Sequence, residues 1–185
     1  FKYPDSDEYL LENISFKIEK GETIAFIGST GSGKSTLINL VPRFYDATEG
    51  EVLIDGINVK DYTLESLNNK IGYVPQKAVM FTGSVKSNVG YGYNGKPRPS
   101  LKKIKEAIDV AQGTDFVTKM DKAYDAHIAR GGTNISGGQK QRLQIARTLL
   151  KKSNIIIFDD SMSAIDLKTE RKIIDNINSF YQDKT

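Results

Sequence analysis

Apolar positions along this chain follow two periods, and the switches between them lay out the elements. From Tyr3 to Ile27 apolar and polar residues alternate (Leu11, Ile14, Phe16, Ile18), a turn falls at Lys20-Gly21, and Thr23-Ile-Ala-Phe-Ile27 is almost continuously apolar. That pattern predicts a small antiparallel sheet leading into a buried strand. Ser35 to Val41 reads as a helix stopped by Pro42. Glu51 to Ile54, then Asp55-Gly56, then Ile57 and Val59 read as a second hairpin, because Asp-Gly suits a tight two-residue turn. Ile71 to Val74 predicts a short buried strand ending at Pro75-Gln76.

Gly, Tyr, Asn, Pro and Ser dominate between Gly83 and Ser100, which predicts a loop that begins with a short turn around Ser84 to Asn88. The period then becomes helical: Ile104, Ala107, Ile108 and Ala111 fall at i, i+3, i+4 and i+7, with Lys102, Lys103, Lys105 and Glu106 left for water. A helix from Gln139 to Lys151, a strand from Ile155 to Phe158 and a last amphipathic helix carrying Ile173, Ile177 and Phe180 complete the pattern. The reading is an α/β core interrupted by a helical subdomain, with no internal repeat.

Composition narrows the classes. A chain of 185 residues, 38% hydrophobic and 26% charged, fits one globular domain with a sizeable core. Its 26 basic and 23 acidic residues are scattered, and a net charge of +3 gives no argument for a nucleic-acid partner. The absence of cysteine excludes a disulfide scaffold and a thiolate metal site. His127 is the sole histidine and reads as a surface residue, having no second histidine or cysteine to share a metal. No apolar run approaches the roughly 20 residues of a membrane helix. The start at Phe1, with neither Met nor a leader pattern, leads us to expect a piece of something longer.

The chemistry concentrates in a few short stretches. Gly28-Ser29-Thr30-Gly31-Ser32-Gly33-Lys34-Ser35 lies between a predicted strand and a predicted helix, the context that a phosphate-binding loop requires. Gly28, Gly31 and Gly33 let the backbone curl so that successive N–H groups point inward at phosphate oxygens. Lys34 would reach the β- and γ-phosphates of a nucleotide, and Ser35 would ligate Mg2+. Ile135-Ser136-Gly137-Gly138-Gln139 opens an apolar helix. Taken alone it reads either as an ordinary N-cap at Ser136 or as an anion site made of a hydroxyl, two glycine N–H groups and a helix N-terminus. Gln76 after a proline, taken alone, reads more often as plain surface than as function.

With these residues in view, the chain resembles the nucleotide-binding domain of ATP-binding cassette (ABC) transporters, over nearly its whole length. The motifs are the phosphate loop, Gln76 after a strand, Ile135 to Gln139, the apolar strand into Asp159, and Ser163-Ala-Ile-Asp166. Phe1-Lys-Tyr3-Pro4, Arg43-Phe-Tyr45-Asp46 and Val52 to Gly56 are similar to exporters whose membrane helices are fused to this domain. The resemblance implies an α/β P-loop NTPase core with a small antiparallel β subdomain and an inserted α-helical subdomain. It also implies boundaries: core 1–83 and 139–185, helical subdomain about 84–138, with the C-terminal end of the domain and its switch histidine lying beyond Thr185.

Carried over by position, the resemblance implies ATP and Mg2+ as cofactors. Tyr3 would stack on adenine, Gly28 to Thr36 would cradle the phosphates, and Ser35, Gln76 and Asp159 would serve the metal. Ser136, Gly137, Gly138 and Gln139 would close over the γ-phosphate held by a second such domain. Ile135 stands where leucine is usual. The stretch Asp125 to Gly131 falls where exporters touch the membrane domain, but departs from their acidic pattern. Implied partners are a second ABC nucleotide-binding domain and the transmembrane domain of the same full-length chain, placing the domain at the cytoplasmic face of a membrane.

One departure matters. The family typically has glutamate as the catalytic carboxylate after the strand, and this chain has Asp160. Aspartate keeps the charge but is shorter by one methylene, and a displacement of about 1 Å can cost on the order of 10²-fold in rate. The expectation is a slow site, catalysed by Asp160, Gln76 and Lys34, of the kind that some heterodimeric exporters pair with a competent one. Alternatives at this level are an ATP-dependent dimer switch with little hydrolysis of its own, or a soluble ABC ATPase acting on nucleic acid or ribosomes.

Overall fold

The computed structural model describes residues 1–92, 97–181 and 185. In chain order its regular elements are α1 (Lys34–Leu40), β1 (Leu53–Ile54), β2 (Ile57–Asn58), α2 (Leu64–Lys70), β3 (Ile71–Val74), β4 (Gly83–Ser84), α3 (Val85–Val89), α4 (Leu101–Val110), α5 (Thr114–Val117), β5 (His127–Ile128), α6 (Gly137–Leu150), β6 (Ile155–Phe158) and α7 (Leu167–Phe180). Positions 93–96, part of the expected loop and helical subdomain, lie outside the described residues.

β3 and β6 pair in parallel, Ile71 with Ile155 through Val74 with Phe158. Asp159 N extends the ladder by donating to Val74 O at 3.0 Å. α6 covers one side of this pair and buries Leu143, Ile145, Ala146 and Leu149 completely. Those residues join Val74, Val85, Val89, Ile104, Ile108, Val117, Ile128 and Ile173 in one apolar cluster, so the helices after β4 share a core with the sheet. α4 carries the expected stripe, with Ile104, Ala107, Ile108 and Ala111 all buried. A smaller cluster of Ile54, Val59, Leu67 and Ile71 lies at the other end of β3.

The second hairpin forms as read. β1 and β2 pair antiparallel, and Asp55 (φ 53°) and Gly56 (φ 76°) both take the left-handed conformation that such a two-residue turn demands. The turn expected at Ser84 to Asn88 is instead a helix, α3. Ser84 caps it by accepting from Ser87 N while Ser87 Oγ accepts from Ser84 N, a reciprocal cap that uses serine where glutamate is usual.

The opening differs from its pattern. Among the described residues no strand precedes Leu53, so Thr23 to Ile27 does not form the expected buried strand and Tyr3 to Ile27 does not form a hydrogen-bonded sheet. Ile27 is 95% exposed, and Ile24 and Phe26 are exposed as well. The cause is the lack of a neighbour to pair with. Among the described residues Thr185 reaches this segment, its Oγ1 accepting from Gly21 N at 3.1 Å. Thr185 in turn exchanges backbone bonds with β6's edge, donating to Asn154 O at 3.1 Å and accepting from Ile156 N at 2.8 Å. Apolar content brings Phe16 and Phe26 together, ring centroids 5.5 Å apart, but a strand also needs a partner for its N–H and C=O groups.

Candidate functional site

The loop ahead of α1 has the geometry its glycines suggested. Gly31 (φ 84°) and Gly33 (φ 85°) are left-handed, and a Cβ on Gly28 would lie 2.7 Å from Ser32 Oγ. Only glycine permits that curl and that approach. The Lys34 ammonium folds back over the loop, donating to Gly28 O and Ser29 O, both at 2.7 Å, and to Ser32 Oγ at 3.4 Å. The loop and the first turn of α1 are largely exposed, apart from Thr36, which is buried.

Residues far apart in sequence meet beside this loop. Ser35 Oγ donates to Asp159 Oδ1 at 2.7 Å, and Tyr73 Oη lies 2.8 Å from Asp159 Oδ2 and 2.8 Å from Asn39 Oδ1. Burial, and then the hydrogen bond to Asp159, push the Tyr73 phenol's pKa up, so it stays protonated and able to donate. Ser35 and Asp159 present an alcohol oxygen and a carboxylate oxygen side by side, a donor set that suits a hard cation such as Mg2+, which takes one or two carboxylates and leaves room for phosphate. No cluster of three or more His, Asp or Glu that could hold a metal occurs among the described residues, so any ion here would depend on ligands from its nucleotide.

Gln76 and Asp160 also come together, Gln76 Nε2 donating to Asp160 Oδ2 at 3.1 Å. Asp160 has a φ of 45°, a left-handed conformation that aspartate tolerates better than most side chains. Gln141 on α6 holds the Gln76 backbone, donating from Nε2 to Gln76 O at 2.6 Å.

Ser136 caps α6, its hydroxyl accepting from Gln139 N at 3.3 Å while Gln139 Oε1 accepts from Ser136 N at 2.9 Å. The capping role that the sequence allowed is therefore present, and Ser136 and Gly137 remain exposed. A Cβ on Gly138 would lie 2.8 Å from Ala164 O, so the segment that follows Asp160 rests directly on the start of α6. Tyr3 stands beside α1, with its hydroxyl 2.9 Å from Thr36 Oγ1 and its ring edge-on to Phe1 and Tyr45 at 5.0 and 5.2 Å.

The structure thus gathers Lys34, Ser35, Gln76, Asp159 and Asp160 at one end of the parallel pair, with Tyr3 at the flank. Ser136 to Gln139 share no hydrogen bond with that group. Three residues that sequence reasoning passed over support the site. Tyr73 and Asn39 bond around Asp159. Arg147 donates to Val79 O at 2.8 Å and Asn88 O at 2.7 Å beneath the Phe81 ring, holding the stretch after Gln76. Burial lowers its pKa to about 10, which leaves it charged at neutral pH. The period-2 pattern of β3 contained a signal for Tyr73, since in the observed register Tyr73 pairs with Ile157 and so shares a face with Asp159 two residues on.

Comparison with known proteins gives concordant results. The family model described as ABC transporter matches residues 11–163. A putative multidrug export ATP-binding/permease protein of Staphylococcus aureus strain NCTC 8325 / PS 47 is 44% identical over 185 residues, all of this chain and 32% of that protein. Its counterpart in the bovine strain RF122 / ET3-1 is likewise 44% identical over 185 residues and 32% of its length. A solved structure of a bacterial Atm1-family ABC exporter with ATP bound superposes with a TM-score of 0.92 at 36% identity, covering 99% of this chain and 32% of that one. The chain spans about a third of the length of each of these relatives.

Proposed function

From the premise that this chain belongs to the ABC transporter family, we propose that it is the ATP-binding and hydrolysing motor domain of a membrane exporter. The observation that carries this reading is the Ser35–Asp159 hydrogen bond of 2.7 Å, which unites the phosphate loop with the carboxylate that ends β6. In this reading Lys34 and the loop N–H groups bind the β- and γ-phosphates, and Tyr3 supports the adenine. Ser35 and Asp159 would hold a Mg2+ ion, which would supply charge neutralisation on the phosphates. Gln76 and Asp160, already bonded to each other, orient the attacking water, and Asp160 accepts its proton.

Ser136, Gly137 and Gly138 then serve a second domain. The exposed Ser136 and Gly137 at the start of α6, with no hydrogen bond to this chain's own loop, suit closure over the γ-phosphate of a partner. We place the boundary between core and helical subdomain near residues 84 and 138. The relatives, export ATP-binding/permease proteins, support a transmembrane domain in the same full-length protein, and in this reading the domain sits at the cytoplasmic membrane face. Asp160, shorter than the usual glutamate and held left-handed, favours slow turnover at this loop and a heterodimer whose partner has the competent carboxylate. The same residue supports a second reading, a dimer switch that holds ATP and hydrolyses little.

The test is nucleotide binding and phosphate release by the full-length protein. MgATP is expected to bind, and Lys34→Ala to lower hydrolysis by about 10²-fold or more, the scale of removing one preorganised phosphate-stabilising donor. Absence of measurable ATP affinity in the unaltered protein would overturn the reading.

A further inference from the structure

α1 presents Ser35 and Asn39 one turn apart, at the i, i+4 spacing that puts two side chains on one helical face. That face meets the side of the parallel pair on which Tyr73, Ile157 and Asp159 alternate. The result is a closed set of contacts about one carboxylate: Ser35 on Asp159 Oδ1, Tyr73 on Asp159 Oδ2, and Asn39 on the Tyr73 hydroxyl, at 2.7, 2.8 and 2.8 Å. The Tyr73 ring is held independently, edge-on to Phe44 with centroids 5.2 Å apart.

A phenol has one proton, and Tyr73 Oη has two oxygen neighbours. The charged carboxylate makes the stronger acceptor, so the proton goes to Asp159 Oδ2. The side-chain amide of Asn39 is then satisfied with its NH2 turned toward Tyr73 Oη, reversing the assignment of its nitrogen and oxygen. The chain runs Asn39 Nδ2–H to Tyr73 Oη, and Tyr73 Oη–H to Asp159 Oδ2. One oxygen of Asp159 is occupied and the other is left turned to Ser35.

We propose that Tyr73, backed by Asn39, is a positioning pair that locks Asp159 with one oxygen committed to the protein and the other aimed beside Ser35 for a nucleotide-bound divalent cation. The proposal rests on the ATP-site reading above and deepens it. In that reading neither residue is given a nucleotide contact. Their effect is on how well Asp159 is preorganised, and outer partners of metal ligands typically account for about 10- to 100-fold in metal affinity. Tyr73→Phe keeps the ring and its packing on Phe44, so it isolates the hydroxyl.

The experiment measures ATP affinity of the full-length protein by equilibrium binding, once in excess EDTA and once along a Mg2+ titration. Tyr73→Phe is expected to raise the half-saturating Mg2+ concentration about 10-fold and to leave the affinity in EDTA within about twofold. Asn39→Leu is expected to act in the same direction but more weakly, and to add nothing in the double variant, because it works through the hydroxyl that Tyr73→Phe removes. An unchanged Mg2+ requirement in Tyr73→Phe, or an equal loss with and without Mg2+, overturns the pair. An additive double variant removes Asn39 from it. Failure of the unaltered protein to bind ATP at all overturns the functional reading instead, so the two outcomes are distinguishable.

Discussion

The segment from Glu12 to Ser32 and helix α6 are opposites in packing. Every residue of the first is exposed. The second buries eight of its fourteen residues, including Leu143, Ile145, Ala146 and Leu149, in the main apolar cluster. Both carry motifs. The difference teaches that the shape of the glycine loop depends on local backbone curl, which glycine supplies without a core, whereas the capped start of α6 depends on a helix that the whole core holds in place.

Loss of packing in α6 should break the fold as a whole. Leu143→Ala empties a fully buried site and is expected to cost about 2–5 kcal/mol, read as a lower urea midpoint at unchanged slope. Just after β6, Asp160→Glu is expected to raise ATP turnover, by up to roughly 10²-fold if the missing methylene is the defect, with stability little altered. Steady-state phosphate release checks it, and an unchanged rate would overturn the proposal that Asp160 makes this site slow. In the exposed segment Ile27→Ser is expected to stay within about 0.5 kcal/mol, since its side chain has almost nothing to lose. A large thermal shift from Ile27→Ser would erase the contrast between the two regions.

Elements with a local cause were legible in the residues. The Asp55-Gly56 turn, the apolar stripe of α4 and the extents of β3, β6 and α6 follow from turn chemistry and period, and each is found. The strand over Thr23 to Ile27 was read from apolarity alone, but pairing is not a local property, and among the described residues that segment has no paired strand. Helix α3 escaped notice because its cap uses Ser84 and Ser87 in place of the usual serine and glutamate. The motif residues could be picked out because each is read from its own identity, Lys34, Ser35, Gln76, Asp159 and Asp160 by their side chains and the loop glycines by their lack of one. Tyr73 and Asn39 were not, since what they do depends on the register between β3 and β6 and on the face that α1 turns toward them.

The bond from Ser35 to Asp159 spans 124 positions of the chain. Synthesis delivers the glycine loop early and its acidic counterpart late, with the entire α4 to α6 segment emerging between them. Ring closure over such a span costs little more entropy than over half of it, about 0.6 kcal/mol per doubling, but contacts of such long range slow folding. A Ser35–Asp159 pair built this way cannot exist in a nascent fragment that ends before β6. Capture of metal-bound nucleotide would therefore mark a finished domain, one whose first and last thirds have already found each other.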